Sequence, residues 1–415
     1  MLQRLLKPGL ILSVALSAAL AAAAPARAEF NGYFATGVQG GNPNFTDSGT
    51  GVFGRLNYRF SHSMDAAAGT LDLFAGGALQ GSGREDRAIN ETQSLRQAYA
   101  EYQAGSFTLG AGRHVHVQGV ADGFIPTDVV SPRNFRFAVY EEQGNRFGSD
   151  GIWGTVFLGS DVTASAYAYT NTRSSVLPQG IYPGALSLPD EPVESDDQAY
   201  GGRIGWAAGF GDLGISVYSG PANLPYLSAN GTGVQPVVPH LFMAGADFDL
   251  VRGAWRFYGE AVLHEYKSGS FAIPAALLPE DEVQAVLGAE RELAGTSRLA
   301  VQLFWRDLQT SRSTGAGPLV PLAAGVRTVY GQYEDRQTGS SLSYTWESDD
   351  TRRSAEATVS SWFEDDLYVR LRGKYRLGSQ SVIYLYADWL DGPAGSPYGT
   401  LEDSSNIGIE YRIFF

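Results

Sequence analysis

The chain has 415 residues, of which 51 are glycine, 12% are aromatic and none is cysteine. Its formal net charge is −14, and so acidic a balance argues against a nucleic-acid partner. The missing cysteines exclude a disulfide scaffold.

Residues 1–28 read as a secretory signal peptide. Arg4 and Lys7 form a basic start, Leu10 to Ala24 is apolar apart from two serines, and Ala26-Arg27-Ala28 is a small-x-small cleavage site. Removing Arg4, Lys7 and Arg27 from the 30 basic residues leaves 27 against 44 acids, a net charge of −17 for the exported chain. Beyond Glu29 no stretch reaches the ~18 consecutive apolar residues of a helical span. A membrane form would then have to be a closed barrel, because hydrocarbon offers no water to unpaired backbone groups.

Period-two alternation predicts eighteen strands, with sixteen as the alternative. They are Phe30–Gln39, Val52–Ser61, Thr70–Gln80, Ser94–Gln103, Ser106–His114, Gly151–Gly159, Val162–Thr170, Gln198–Ala208, Asp212–Ser219, Pro239–Asp249, Gly253–Tyr266, Val283–Glu292, Ser297–Leu308, Thr338–Glu347, Arg352–Phe363, Asp366–Leu377, Gln380–Leu390 and Asn406–Phe415. The fold class is all-β, an antiparallel up-and-down transmembrane barrel in one domain, 29–415. Tight turns such as Ala104-Gly105 and Gly378-Ser379 alternate with long loops, the asymmetry of a barrel with one short-turn end and one long-loop end. The loops Asn171–Asp197 and the one running to Val238 read as polar and solvent-exposed, and Gly325–Tyr333 as an extension of the fourteenth strand. Trp206, Trp255, Trp305, Trp346, Trp389 and Tyr411 lie near strand ends, as interfacial belts require.

Two segments carry candidate chemistry. On the sixteenth strand Tyr368, Arg370, Arg372, Lys374 and Arg376 share one face, and Leu367, Val369, Leu371, Gly373 and Tyr375 the other. A charge at the lipid midplane costs ~2–4 kcal/mol, so the basic face belongs to the lumen. Arg55, Arg59, Arg203, Arg256, Arg298, Arg306 and Arg412 are further inward cations, and Glu101, Asp247, Glu260, Glu290, Glu356, Asp388 and Glu410 inward acids. These groups either pair across neighbouring strands or act on passing anions. The second segment is the insertion His114–Asp150, with Asp122, Asp128, Glu141 and Glu142 beside Arg133, Arg136 and Arg146. Its apolar Phe124, Ile125, Val129, Val130, Phe135, Phe137 and Val139 argue for packing. His114 and His116 could face a metal together, but no third ligand is fixed by spacing, so no metal site is expected. Neither a nucleophile elbow nor a phosphate loop is present, and no enzyme or cofactor is expected.

The final stretch Ile407, Ile409, Tyr411, Ile413, Phe415 resembles the closing strand of Gram-negative outer-membrane β-barrels, whose assembly machinery reads that alternation. Leu109-Gly110-Ala111-Gly112-Arg113, followed by Gly119, Asp122, Asp128, Pro132 and Arg133, resembles the strand end and third loop of substrate-selective porins, with Gln118 where a tryptophan is frequent. The resemblance implies a third loop folded into the barrel, placing acids opposite a basic wall. It also implies an outer-membrane location in contact with lipid, passage of small hydrophilic or anionic solutes, and association of up to three barrels. A substrate-specific or export channel for an organic acid or polyanion is the competing function, ahead of a barrel enzyme or adhesin.

Overall fold

The computed structural model describes residues 28–41, 51–66, 68–83, 88–91, 95–135, 146–170, 172–177, 188–189, 191–229, 233–293, 295–311, 319–362, 365–393 and 396–415. The signal-peptide reading therefore lies almost wholly outside the described residues. Eighteen strands form the wall: β1 (Ala28–Gly41), β2 (Gly51–Ala66), β3 (Gly69–Gly83), β4 (Gln97–Ala104), β5 (Phe107–His114), β6 (Ser149–Leu158), β7 (Val162–Thr170), β8 (Ala199–Ala208), β9 (Gly211–Pro221), β10 (His240–Arg252), β11 (Trp255–Lys267), β12 (Glu282–Glu292), β13 (Ser297–Leu308), β14 (Arg336–Glu347), β15 (Arg353–Trp362), β16 (Leu367–Arg376), β17 (Ser381–Asp391) and β18 (Asn406–Phe414). Each pairs antiparallel with its neighbours in chain order, and β1 pairs with β18 from Tyr33↔Phe414 to Gly41↔Asn406. The last residue joins the seam, since Phe415 and Gly32 exchange backbone hydrogen bonds at 3.0 and 3.1 Å.

Alternation decides which side chains face out. Phe34, Leu371, Leu385 and Ile409 are 46–54% exposed, and the residues that follow them, Ala35, Arg372, Tyr386 and Glu410, are at most 7% exposed. Exposed apolar side chains recur round the wall, a band suited to hydrocarbon rather than water. Trp206, Trp255, Trp346 and Trp389 are exposed on this outer face near strand ends. Glycine closes the tightest turns. Gly105 (φ 55°) and Gly253 (φ 62°) take the left-handed conformation that a two-residue hairpin needs between β4 and β5 and between β10 and β11.

The long-loop end is not a solvated fringe. Val320–Tyr330 forms a helix, α1, where a strand extension was expected. Pro321 suits the first helical turn, Leu322, Ala323, Val326 and Tyr330 make one apolar stripe, and Gly331 (φ 64°) ends the helix in a left-handed cap. That stripe packs on Tyr226, Leu227, Tyr266, Ile273 and Leu277 in one core that also takes in Leu177 and Leu188. The loops read as solvated thus contribute buried side chains, and a small hairpin, Tyr226–Ala229 with Val234–Val237, lies within them. Ala88–Glu91, ahead of β4, pairs back onto β3, so β4 starts three residues later than its alternation suggested.

Leu371→Arg is expected to reduce the free energy of insertion into lipid vesicles by ~2–4 kcal/mol, measured by urea titration. A cation at Gly373, on the same face, should act alike, whereas Arg372→Lys should leave insertion nearly unchanged.

Candidate functional site

The segment between β5 and β6 enters the lumen and crosses it. In a ring of eighteen strands β14 faces β5, and Phe124 lies against Phe304 of β13 (5.5 Å) and Trp362 of β15 (5.2 Å), on either side of that strand. Ala121, Tyr258 and Val286 complete an apolar contact that holds the loop tip to the far wall.

One carboxylate anchors the crossing. Glu260 of β11, 3% exposed, accepts the Val120 and Ala121 N–H groups on Oε1 (2.6 and 2.8 Å). Its Oε2 accepts the Thr127 N–H (3.2 Å) and hydroxyl (2.6 Å). Four donors thus satisfy a charge that has left water, each charge-assisted bond being worth about 1.5–3 kcal/mol net. Gly119 makes room for it. At φ 104° a Cβ there would lie 2.6 Å from both Glu260 Oε1 and Thr127 Oγ1 and collide with Ile125. Arg256, one turn of the pleat away, donates to the Val120 carbonyl (2.8 Å), binds Asp249 with two nitrogens and stands 3.5 Å from Asp122.

The predicted loop residues separate into different settings. Asp122 is open to the lumen, with a side chain 62% exposed. Asp128 is buried at the loop's base, where Arg133 (2.6 Å) and Arg146 both bind its Oδ2 and tie the two limbs together. Arg136, Glu141 and Glu142 lie outside the described residues.

The lining differs on the two sides of the crossing loop. On the side of β6 to β11, its Val129 and Val130 belong to one buried cluster with Trp153, Tyr167, Tyr169, Tyr218, Met243 and Val262. That sector is filled by side chains and roofed by α1. The other sector, from β15 through β18 to β5, carries the basic residues. Arg372 binds Asp388 with Nη2 at 2.9 and 3.0 Å. Arg370 stands 3.5 Å from the same carboxylate and donates to the Tyr368 hydroxyl (2.7 Å), which donates in turn to Asp388 (2.7 Å). Two guanidinium groups thus converge on one acid. Lys374 is 4.0 Å from Glu347, and Arg376 is exposed at the short-turn end of β16. Arg412 is fully buried, paired with Glu410 and lying over the rings of Tyr33 (4.5 Å) and Tyr384 (4.2 Å). Arg55 is buried on β2, and Arg59 sits over Phe74 at 5.0 Å.

Pairing takes over most of the remaining inward charges: Arg203 with Asp247, Arg298 with Glu290, and Arg306 with Glu282. Glu260 and Asp388 appear in the sequence as two inward acids among several. Their roles depend on partners about 140 and 16 positions away, which alternation does not specify.

No family model and no curated protein matches the chain. Solved structures do share its fold. OccK11 (OpdR) of Pseudomonas aeruginosa superposes with a TM-score of 0.57 at 11% identity, covering 94% of this chain and 95% of its own. OpdQ of the same organism gives 0.56 at 9%, and OccAB4 of Acinetobacter baumannii 0.56 at 7%, each covering 94% of this chain and 98% of the other. The chain therefore shares the closed eighteen-stranded barrel fold of these structures.

Glu260→Ala leaves four donors without their acceptor and is expected to free the loop, raising single-channel conductance in planar bilayers. Gly119→Val should act in the same direction, and Asp122→Asn, which keeps an acceptor toward Arg256 and leaves the Glu260 anchor untouched, should leave the open-channel current close to that of the parent.

Proposed function

We propose that this protein is an outer-membrane porin, a passive diffusion channel for small hydrophilic solutes with a bias toward anions. The carrying observation is the difference in lining between the two sides of the lumen. Apolar packing fills one sector, and the remaining sector is lined by Arg370, Arg372, Lys374 and Arg376 with Arg55 and Arg59 on β2. Water fills a sector walled by charge, and the fixed cations raise the local concentration of anions there. Asp388 and Tyr368 hold Arg370 and Arg372 in place, so the field is preorganised and not carried on mobile side chains. The guanidinium groups offer planar forks that suit carboxylate or phosphate, and a channel must bind such groups weakly enough to release them.

A more selective reading of the same channel, for one organic acid or a polyanion, draws support from the narrowing itself, since Phe124 reaches the far wall and α1 roofs the packed sector. Localisation follows from the fold. The outer apolar band seats in the outer membrane, the short turns face the periplasm and the long loops the exterior, with solute and lipid as the contacting partners. The alternating end Ile407, Ile409, Tyr411, Ile413, Phe415 is then the segment offered to the assembly machinery; its Phe415 is already hydrogen-bonded into the seam.

Replacing Arg370, Arg372 and Lys374 together with Gln should move the reversal potential in a salt gradient toward the cation side, because Asp388 then stands as an uncompensated acid. A reversal potential that stays with the parent would remove this wall from the conduction path.

A further inference from the structure

The outer face of the barrel treats its charges differently at the two ends. Near the long-loop end three outward cations each meet an acid on the same face. Arg113 grips Asp150 with two nitrogens (2.7 and 2.8 Å), Arg336 binds Asp307 at 2.9 Å, and Lys267 stands 3.9 Å from Glu265. Their charge is answered within the protein.

Near the short-turn end two outward arginines have no acid partner among the described residues. Arg252 ends β10 and Arg291 lies close to the end of β12, and the strand register places them on either side of Trp255 of β11. All three residues are exposed. The neighbouring carboxylates Asp249, Glu290 and Glu292 lie on the lumen face by parity, and Arg256 and Arg298 bind the first two. The row itself is fixed by its rings. Trp255 stacks on Phe257 at 5.8 Å with 10° between the planes, and the Arg291 guanidinium lies over the indole, 5.1 Å from its centroid. Toward the waist of the barrel the next row on this face is Leu250, Phe257 and Ala289, all apolar.

An interfacial tryptophan marks the depth of the headgroups, so both guanidinium groups stand where a phospholipid carries its phosphate. Each presents a planar fork of N–H donors that matches phosphate oxygens, and stacking on an indole leaves the edge of that fork free. The cation–π contact orients Arg291 without neutralising it. The two arginines are separated by two strand spacings, about 10 Å, so one headgroup lying across Trp255 reaches both. Its acyl chains then run along Leu250, Phe257 and Ala289. A zwitterionic headgroup brings an ammonium into the field of two cations and is disfavoured, whereas an anionic one is not. We propose that Arg252, Trp255 and Arg291 form a binding site for an anionic phospholipid in the leaflet on the short-turn side. The site requires only that this wall face lipid, so it stands or falls separately from conduction.

Native mass spectrometry of the detergent-refolded barrel, titrated with cardiolipin or with phosphatidylethanolamine, tests the site. Preferential retention of cardiolipin is expected, weakened about tenfold in the double variant Arg252→Gln, Arg291→Gln. Arg353→Gln is the control and should match the parent, since Arg353 lies over Tyr375 (5.7 Å) three strands away with Asp350 close by. Equal retention of the two lipids by the parent, or cardiolipin retention that the double variant keeps, overturns the proposal. Competition on the parent gives a reading that needs no variant to refold: displacement of bound cardiolipin by an equal concentration of phosphatidylethanolamine or of inorganic phosphate also refutes it.

Discussion

Every backbone donor in a membrane wall must find its acceptor within the wall, and that demand organises the whole molecule. A strand has two edges, so the only arrangement without a loose edge is a ring. The β1–β18 ladder is where this is met, and the terminal residue is drawn into it through Gly32. Once the ring is closed, side-chain parity has no freedom left. Residues beside Leu371 and Leu385 must point inward, and that places arginine, aspartate and tyrosine in an aqueous space whether or not they pair.

Inside the ring the chain solves a second problem, which is how to keep so many charges without losing the barrel. Three solutions are visible. Arg298 and Arg306 meet acids on the adjacent strand β12, and Arg203 of β8 reaches across β9 to Asp247 of β10. Arg412 is sandwiched against tyrosine rings as well as paired with Glu410. Around Asp388 two guanidinium groups, those of Arg370 and Arg372, converge on one carboxylate. The same side chains therefore hold neighbouring strands together and set the charge that lines the interior.

Much of this is legible from residue order. Strand number, inward and outward faces, the aromatic ends and the basic row on β16 all follow from a period of two, since parity is a local property. What alternation does not reveal is where a long loop goes. Asp122 and Asp128 look equivalent in sequence, yet one is open to the lumen and the other is clasped by Arg133 and Arg146. The helix over Val320–Tyr330 is hidden for a related reason: its apolar spacing makes sense only against Tyr226 and Leu277, which come from other loops. Gly119 is the exception, a loop glycine singled out by the sequence whose necessity becomes clear only beside Glu260.

The anchor of the crossing loop reads peptide groups more than side chains. Of the four donors that Glu260 receives, three are main-chain N–H groups, and the hydroxyl of Thr127 is the fourth. The hydrogen bonds to Glu260 consequently do not depend on the side chains of residues 120 and 121, although Ala121 is also buried in the apolar contact at the loop tip. An anchor of this kind tolerates side-chain change along the crossing segment better than it tolerates a change in the segment's path.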